Sequence, residues 1–281
     1  MVQYSIFSTN YKSSKGRVFC EKDDPNRTCF MRDRDRIIHS SAFRRLKYKT
    51  QVFVHHEEDY FRTRLSHSLE VSQLSRSISK VFNINDDLTE SISLSHDLGH
   101  TPFGHAGEEV LNKKMKGKGG FNHNYQALKI LTVLEKKYLD FDGLNLTFET
   151  LDGILKHNGP ITSVLPSYIQ NFINFFGGEK KSQGSFEAQI AAICDDIAYN
   201  NNDIDDGLYA GLFEMEELKE LDIIKDALKK INLKKSKEYR RIKYELIRKL
   251  INIMVDDLIR NTKQNIQNFK IKNCNEILEL D

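Results

Sequence analysis

Apolar residues recur along most of this chain at intervals of three and four, the period of a helix that buries one face. Between Phe61 and Phe82, the residues His67, Val71, Leu74, Ile78 and Phe82 fall at i, i+4, i+7, i+11 and i+15, which predicts one helix with an inward stripe. A second helix is predicted from Asn85, capped by Asp86 or Asp87 with Glu90 completing a capping box, through LTESISLSHDLGH to a stop near Gly99. Leu88, Ile92 and His96 share its apolar side. Glu108–Met115, Phe121–Lys137 and Leu144–Ser163 read as further helices, the last ended by Gly159 and Pro160. After a polar break at Gly177–Gly184 comes SFEAQIAAICDDIAYNNNDIDDGL. Phe186, Ile190, Ile193 and Ile197 form one stripe there and Ala188, Ala192, Asp195 and Tyr199 another, so this helix is expected to be buried on both sides. From Glu214 onward, charged and apolar residues alternate at helical spacing, predicting helices with solvated faces.

The expected fold is all-α, built on one core. Residues 1–30 have weak periodicity and the turn formers Asp24, Pro25 and Asn26, and read as a short irregular N-terminal arm. Met31–Thr50 reads as a short helix presenting mostly solvated arginines, and Gln51–Asp59 as a loop or short hairpin. The glycines from Gly117 to Gly120 lack the strand and the GK[ST] ending of a phosphate loop and are read as a connection. The working division is 1–30 for the arm, 31–213 for the core and 214–281 for a C-terminal helical extension.

Charge narrows the functions. Lys and Arg number 42 against 40 Asp and Glu, a net +2, which argues against a dedicated nucleic-acid surface while leaving room for a local basic pocket. Cys20, Cys29, Cys194 and Cys274 lie far apart without a CxxC pair, as expected of reduced cytoplasmic thiols. No apolar run reaches the roughly 18 residues of a membrane span, and no signal-peptide core precedes residue 30, so a soluble protein without membrane association is expected.

The candidate chemistry gathers in SHDLGHTPFGHAGEE, Ser95–Glu109, where His96, Asp97, His100, His105, Glu108 and Glu109 crowd the end of one predicted helix. His67 faces inward with Arg64 one turn earlier, and a buried arginine needs an anion or carboxylate. Asp195, on an alanine-rich face, wants a metal, an arginine or a proton. Two imidazoles and two carboxylates from three distant segments suit a six-coordinate divalent cation. A structural metal site or a buried His–Asp network satisfies the same spacing.

His67, then His96-Asp97, then a distant Asp195 resembles the pattern of the HD-domain metal phosphohydrolases. The blocks RDRDRIIHSSAFRRLKYKTQVF, YFRTRLSHSLEVSQLSRSI, HDLGHTPFGHAGE, GGFNHN, LKHNGP and SFEAQIAAICDDIAYNNNDIDDGL are similar to the deoxyguanosinetriphosphate triphosphohydrolase-like branch, from about Arg32 to Phe213 and more weakly beyond. The resemblance implies an HD-domain helical bundle, a deoxynucleoside triphosphate substrate hydrolysed to deoxynucleoside and inorganic triphosphate, and a homo-oligomer. It implies one divalent ion, Mg2+, Mn2+ or similar, on His67, His96, Asp97 and Asp195. Asp195 is preferred to Asp196 because in the family the metal carboxylate precedes a sugar-contacting Tyr by four and an Asp by eight, matching Tyr199 and Asp203. His105 would transfer the proton, oriented by Glu108. His100 and His123 would line the phosphate side and Arg64 hold phosphate charge. Gln51 would contact the 3′-hydroxyl, with Val52 at the sugar edge. Asn202 departs from the pattern, standing where relatives often carry His, which is expected to alter the pocket wall. The chain also ends earlier than such proteins usually do. The alternatives are an HD-type phosphomonoesterase or phosphodiesterase on another nucleotide, and a catalytically silent nucleotide-binding regulator.

Overall fold

The helical period is realised along the chain. In the computed structural model, which describes residues 4–53, 60–162, 165–232 and 238–280, the regular structure is helical apart from two isolated bridges, Thr50 with Thr63 and Lys136 with Gly143. In chain order the α-helices are α1 (Cys29–Ile38), α2 (Ser41–Arg45), α3 (Arg64–Phe82), α4 (Asp86–Ser95), α5 (Gly104–Lys114), α6 (His123–Lys129), α7 (Phe148–Leu155), α8 (Ser167–Phe176), α9 (Phe186–Tyr209), α10 (Met215–Leu218), α11 (Asp222–Lys229), α12 (Tyr239–Asn268) and α13 (Cys274–Leu278).

Side-chain capping corrects several boundaries. Helix α3 begins at Arg64 rather than Phe61, because the Thr63 hydroxyl accepts from the Ser66 N–H and the Ser66 hydroxyl accepts from the Thr63 N–H. Helix α4 is capped by Asn85, not by an aspartate, and Glu90 turns to Arg34 and Arg76 instead of closing a box. Helix α5 starts at Gly104, so His105 lies in its first turn rather than in a loop. Helices α6 and α7 are shorter than predicted, α6 passing into a π-helical turn at Ile130–Leu134. Of the expected loop or hairpin at 51–59, residues 54–59 lie outside the described residues.

The α3–α4 pair is the frame of the site, and its sequence explains how closely it packs. Ser68, Ser72, Ser75 and Ser79 of α3 and Thr89 and Ser93 of α4 are all buried, while Ser91 on another side of α4 donates to the Phe30 carbonyl of α1. Ser75 and Ser93 hydroxyls lie 2.9 Å apart, and Ser79 donates to Thr89 at 2.9 Å. Small side chains let two backbones approach, and several of the hydroxyls also donate to a carbonyl about one turn back, as Ser93 does to Thr89 and Ser68 to Arg64, which satisfies them inside the contact. Apolar burial does the rest: Val71, Leu74, Ile78 and Phe82 of α3 pack against Phe186, Ile190, Cys194 and Ile197 of α9. Full burial of each large aliphatic side chain contributes about 1.5–3 kcal/mol. A second cluster joins α2, α6, α7 and α8 behind Leu94 and Leu98, and a third joins the end of α9 to α11 and α12.

Two expectations about burial are corrected. Helix α9 is not buried all round: Ile193 is 40% exposed and Tyr199 44%, because the buried stripe runs through Ala191, Cys194 and Ala198. The charges of α1 are not all solvated. Asp33 is fully buried, pairing with Arg17 at 2.6 Å and accepting from Thr147 and Thr150, while Arg36 grips Glu21 at 2.8 Å. Those pairs, with Glu187 accepting from Ser8 and Thr9, pin the irregular arm to the bundle.

Candidate metal centre

Helices α3, α4 and α9 converge on His67, His96, Asp97 and Asp195. His67 occupies the second turn of α3, while His96 and Asp97 open a 3-10 turn, His96–Gly99, that continues α4. Asp195 projects from the middle of α9 toward them, and Asp196 is exposed. Asp195 Oδ1 lies 2.7 Å from His67 Nε2 and 3.5 Å from His96 Nε2, which is also 3.5 Å from Asp97 Oδ1. His67, His96 and Asp97 each offer an atom within 4.8 Å of the others.

The donors fit a divalent cation. His96 Nδ1 donates to the Ser93 carbonyl at 2.7 Å, which turns Nε2 into the cluster, and Nε2 and Asp97 Oδ2 are both buried without a hydrogen-bond partner. Buried polar atoms left unpaired are costly, and positive charge between them removes the cost. The titration behaviour agrees in direction. Burial works against a charged His96, yet Asp97 and Asp195 raise its pKa to about 9. Burial likewise opposes ionisation of Asp97 and Asp195, but His96 foremost, with Arg64 beside Asp97 and His157 and His67 beside Asp195, holds both well below the ordinary carboxylate range.

Arg64 is buried, as a residue with a carboxylate partner can be, and the partner is Asp97, whose Oδ1 accepts from Nη1 at 2.7 Å. A Cβ on Gly104, which has φ +53°, would come within 3.1 Å of Arg64 Nη2. Gly99 does more than mark the end of a helix. A Cβ there would lie 1.9 Å from the His123 carbonyl oxygen, so glycine lets α6 pack against the turn that carries His96 and Asp97.

That approach assembles a second cluster. His100 and His123 stack with ring centres 4.1 Å apart, and His105 meets them edge-on at 5.1 and 5.9 Å. Glu108 accepts from the His123 ring at 2.8 Å and from its backbone N–H at 2.8 Å, and sits 3.6 Å from His105 Nδ1. Glu108 therefore braces His123 more closely than His105. The His105 side chain is 82% exposed, and His100 is buried with Nε2 3.4 Å from Asp97 Oδ1. Burial above all, with Arg64 and His123 adding, pushes the His100 pKa down to about 2, so its ring is neutral. Phe103, 81% exposed with φ +67°, turns the chain sharply into α5 just before His105; such a residue costs about 1–2 kcal/mol of backbone strain.

The remaining candidates lie at the edges. Gln51 is half-buried with Oε1 unpartnered, and Val52 is 55% exposed. Tyr199 and Asp203 follow Asp195 at one and two turns on α9; burial and then Asp206 raise the Asp203 pKa. Asn202 is buried, with its amide nitrogen 3.3 Å from His67 Nδ1 and donating to Glu70 at 2.8 Å, so it faces the outer side of His67 rather than a pocket wall. Sequence reasoning missed His157. Its Nε2 donates to Asp195 Oδ2 at 3.2 Å and its ring stacks on His96 at 4.9 Å. It lies just past the end of α7, off any periodic stripe, and the signal was the block LKHNGP, a histidine held between a helix end and a Gly-Pro break. A cavity of about 670 Å³ between α9 and the C-terminal helices touches the cluster at His157 and is otherwise lined largely by groups such as Ile190, Ile193, Ile266 and Phe269.

Among the described residues, no helix is long and apolar enough to cross a membrane. The HD domain model matches residues 64–200, a span that contains the whole first cluster. A deoxyguanosinetriphosphate triphosphohydrolase-like protein of Parvibaculum lavamentivorans is 51% identical over 267 residues, covering 92% of this chain and 67% of the relative. Proteins of the same name from Pelagibacter ubique and Rickettsia felis are 54% identical over 278 residues and 48% over 276, covering 95% and 98% of this chain and 73% and 72% of theirs. The chain thus belongs to the deoxyguanosinetriphosphate triphosphohydrolase-like family of HD-domain proteins.

Proposed function

We propose that this protein is a metal-dependent hydrolase that converts a deoxynucleoside triphosphate and water into deoxynucleoside and inorganic triphosphate. The observation that carries the reading is the convergence of Asp195 on His67 and His96, beside a separate imidazole cluster containing the exposed His105. Family membership supports a metal-dependent phosphohydrolase, and the printed name of the relatives points to the triphosphate-releasing reaction.

In this account His67, His96, Asp97 and Asp195 hold one divalent cation. Such an ion, when bound, supplies Lewis acidity toward a phosphoryl oxygen and lowers the pKa of water. His157 orients Asp195 by donating to Oδ2, leaving Oδ1 to face His67 and His96. Arg64 holds Asp97 in place and adds fixed positive charge on the phosphate side. His100, neutral and buried, and His123, braced by Glu108, form the floor against which the triphosphate lies; the 670 Å³ cavity, apolar for the most part, suits it poorly. His105 reaches the scissile bond from the first turn of α5. As the P–O5′ bond breaks and water oxygen joins the α-phosphorus, its ring delivers the proton the departing 5′-oxygen needs. Gln51, Val52, Tyr199 and Asp203 are assigned to the sugar.

The test is product identity. Metal-loaded protein is incubated with each deoxynucleoside triphosphate and the products are separated by anion exchange. Deoxynucleoside and triphosphate in equal amounts are expected. Pyrophosphate with nucleoside monophosphate, orthophosphate alone, or no product would each overturn the proposal.

A further inference from the structure

We propose that His100, His105 and Glu108 form a second, weaker binding site for a divalent transition-metal ion such as Zn2+, and that an ion there stops turnover by occupying His105. These three residues each offer a donor atom within 4.8 Å of the others. His100 is buried, its Nε2 lies 3.4 Å from Asp97 Oδ1, and its Nδ1 is buried with no hydrogen-bond partner, so a ring nitrogen is left without a protein partner. His105 and Glu108 are spaced i, i+3 on α5, with Nδ1 and Oε2 already 3.6 Å apart, and the exposed His105 ring is free to close on an ion. Two imidazoles and one carboxylate with an open fourth position make a donor set that zinc accepts, with ligand distances of about 2.0–2.2 Å.

The local field sets the order of affinity. His105 and Glu108 lie near the start of α5, where the helix dipole favours anions, and Glu108 is shared with His123 at 2.8 Å. The first cluster also shares its carboxylates, Asp97 with Arg64 and Asp195 with His157, but it brings two of them and two imidazoles, so it fills first. Inhibition rests on the hydrolase reading, since only there is His105 a proton donor; binding does not.

The experiment titrates chelator-stripped protein with Zn2+ against a chromogenic chelator, with helical content followed by circular dichroism. Two equivalents of unequal affinity are expected. Asp195→Ala should weaken the tighter one and keep the weaker, whereas His105→Ala and Glu108→Gln should each weaken the second by at least about tenfold and leave the first in place. One equivalent in the wild type, two unaltered equivalents in both His105→Ala and Glu108→Gln, or loss of both together in His105→Ala would overturn the site. In the product assay, zinc beyond the first equivalent should lower turnover in step with second-site occupancy, and undiminished turnover at full occupancy would overturn the inhibitory role. A protein that binds two equivalents yet turns over no nucleotide with any metal would instead sink the hydrolase reading and leave the second site standing.

Discussion

The two histidine clusters share Asp97 as a neighbour but are built to opposite specifications. His67 on α3, and His96 and Asp97 in the turn that continues α4, are almost wholly buried, and the serine-lined contact of the two helices fixes their spacing. His105 hangs in solvent from the first turn of a helix entered through a left-handed Phe103. Holding an ion calls for donors that are dehydrated and oriented beforehand, whereas moving a proton calls for a ring that can reach the reacting bond. Substitutions that separate metal retention from turnover therefore test this contrast.

The largest effect is expected for His96→Ala and Asp195→Ala. Each should abolish both the metal of the buried cluster, measured by atomic emission after loading with one equivalent and gel filtration, and product formation. A variant with full metal content would break the assignment of the buried cluster. Next, His105→Ala should keep its metal and lose about 10²–10⁴-fold in kcat, the usual worth of a positioned general acid. Equal loss of metal would erase the distinction between the clusters. His157→Phe keeps the ring over His96 but removes the donor to Asp195, so metal affinity should fall about 10–100-fold, with partial recovery in His157→Gln. Unchanged affinity in the Phe variant would reduce His157 to packing.

The smallest effect is on the stability of metal-stripped protein. His96, raised from 6.5 to about 9, adds stability that is complete below pH 6.5 and is lost as pH climbs toward 9. His100, depressed to about 2, acts in reverse: below pH 6.5 the unfolded chain takes up a proton that the folded chain refuses, so stability falls with acid. Thermal midpoints should peak near pH 6.5 and decline on both sides. A midpoint that rose steadily from pH 6 to 9 would contradict the His96 environment.

Much of the buried cluster was legible because it obeys helical period. His67 sits on the stripe of Val71 and Ile78, and His96 on that of Leu88 and Ile92, so direction followed from spacing. The choice of Asp195 over Asp196 came from resemblance; Asp195 lies against His67 and His96 and Asp196 is exposed. What spacing could not reveal lies off the helices or depends on contacts between distant segments. His157 follows a helix end, and Glu108 reaches His123 only because Gly99 admits α6. The burial of Asp33 was hidden for the same reason, since its partners Arg17, Thr147 and Thr150 are supplied by remote parts of the chain. The start of α3 was misplaced because a single side chain, Thr63, outcompeted the apolar pattern in setting the first turn, whereas at α4 the start was right and only the capping residue, Asn85, was misread.

The central claim is that four side chains from three helices share one cation. Crystals grown with one equivalent of Mn2+, with data collected at its absorption edge, test it directly. The account predicts a single anomalous peak about 2.0–2.3 Å from His67, His96, Asp97 and Asp195 together, at usual metal–ligand distances. A peak that leaves out Asp195 or His67, or lies on His157 instead, would contradict it.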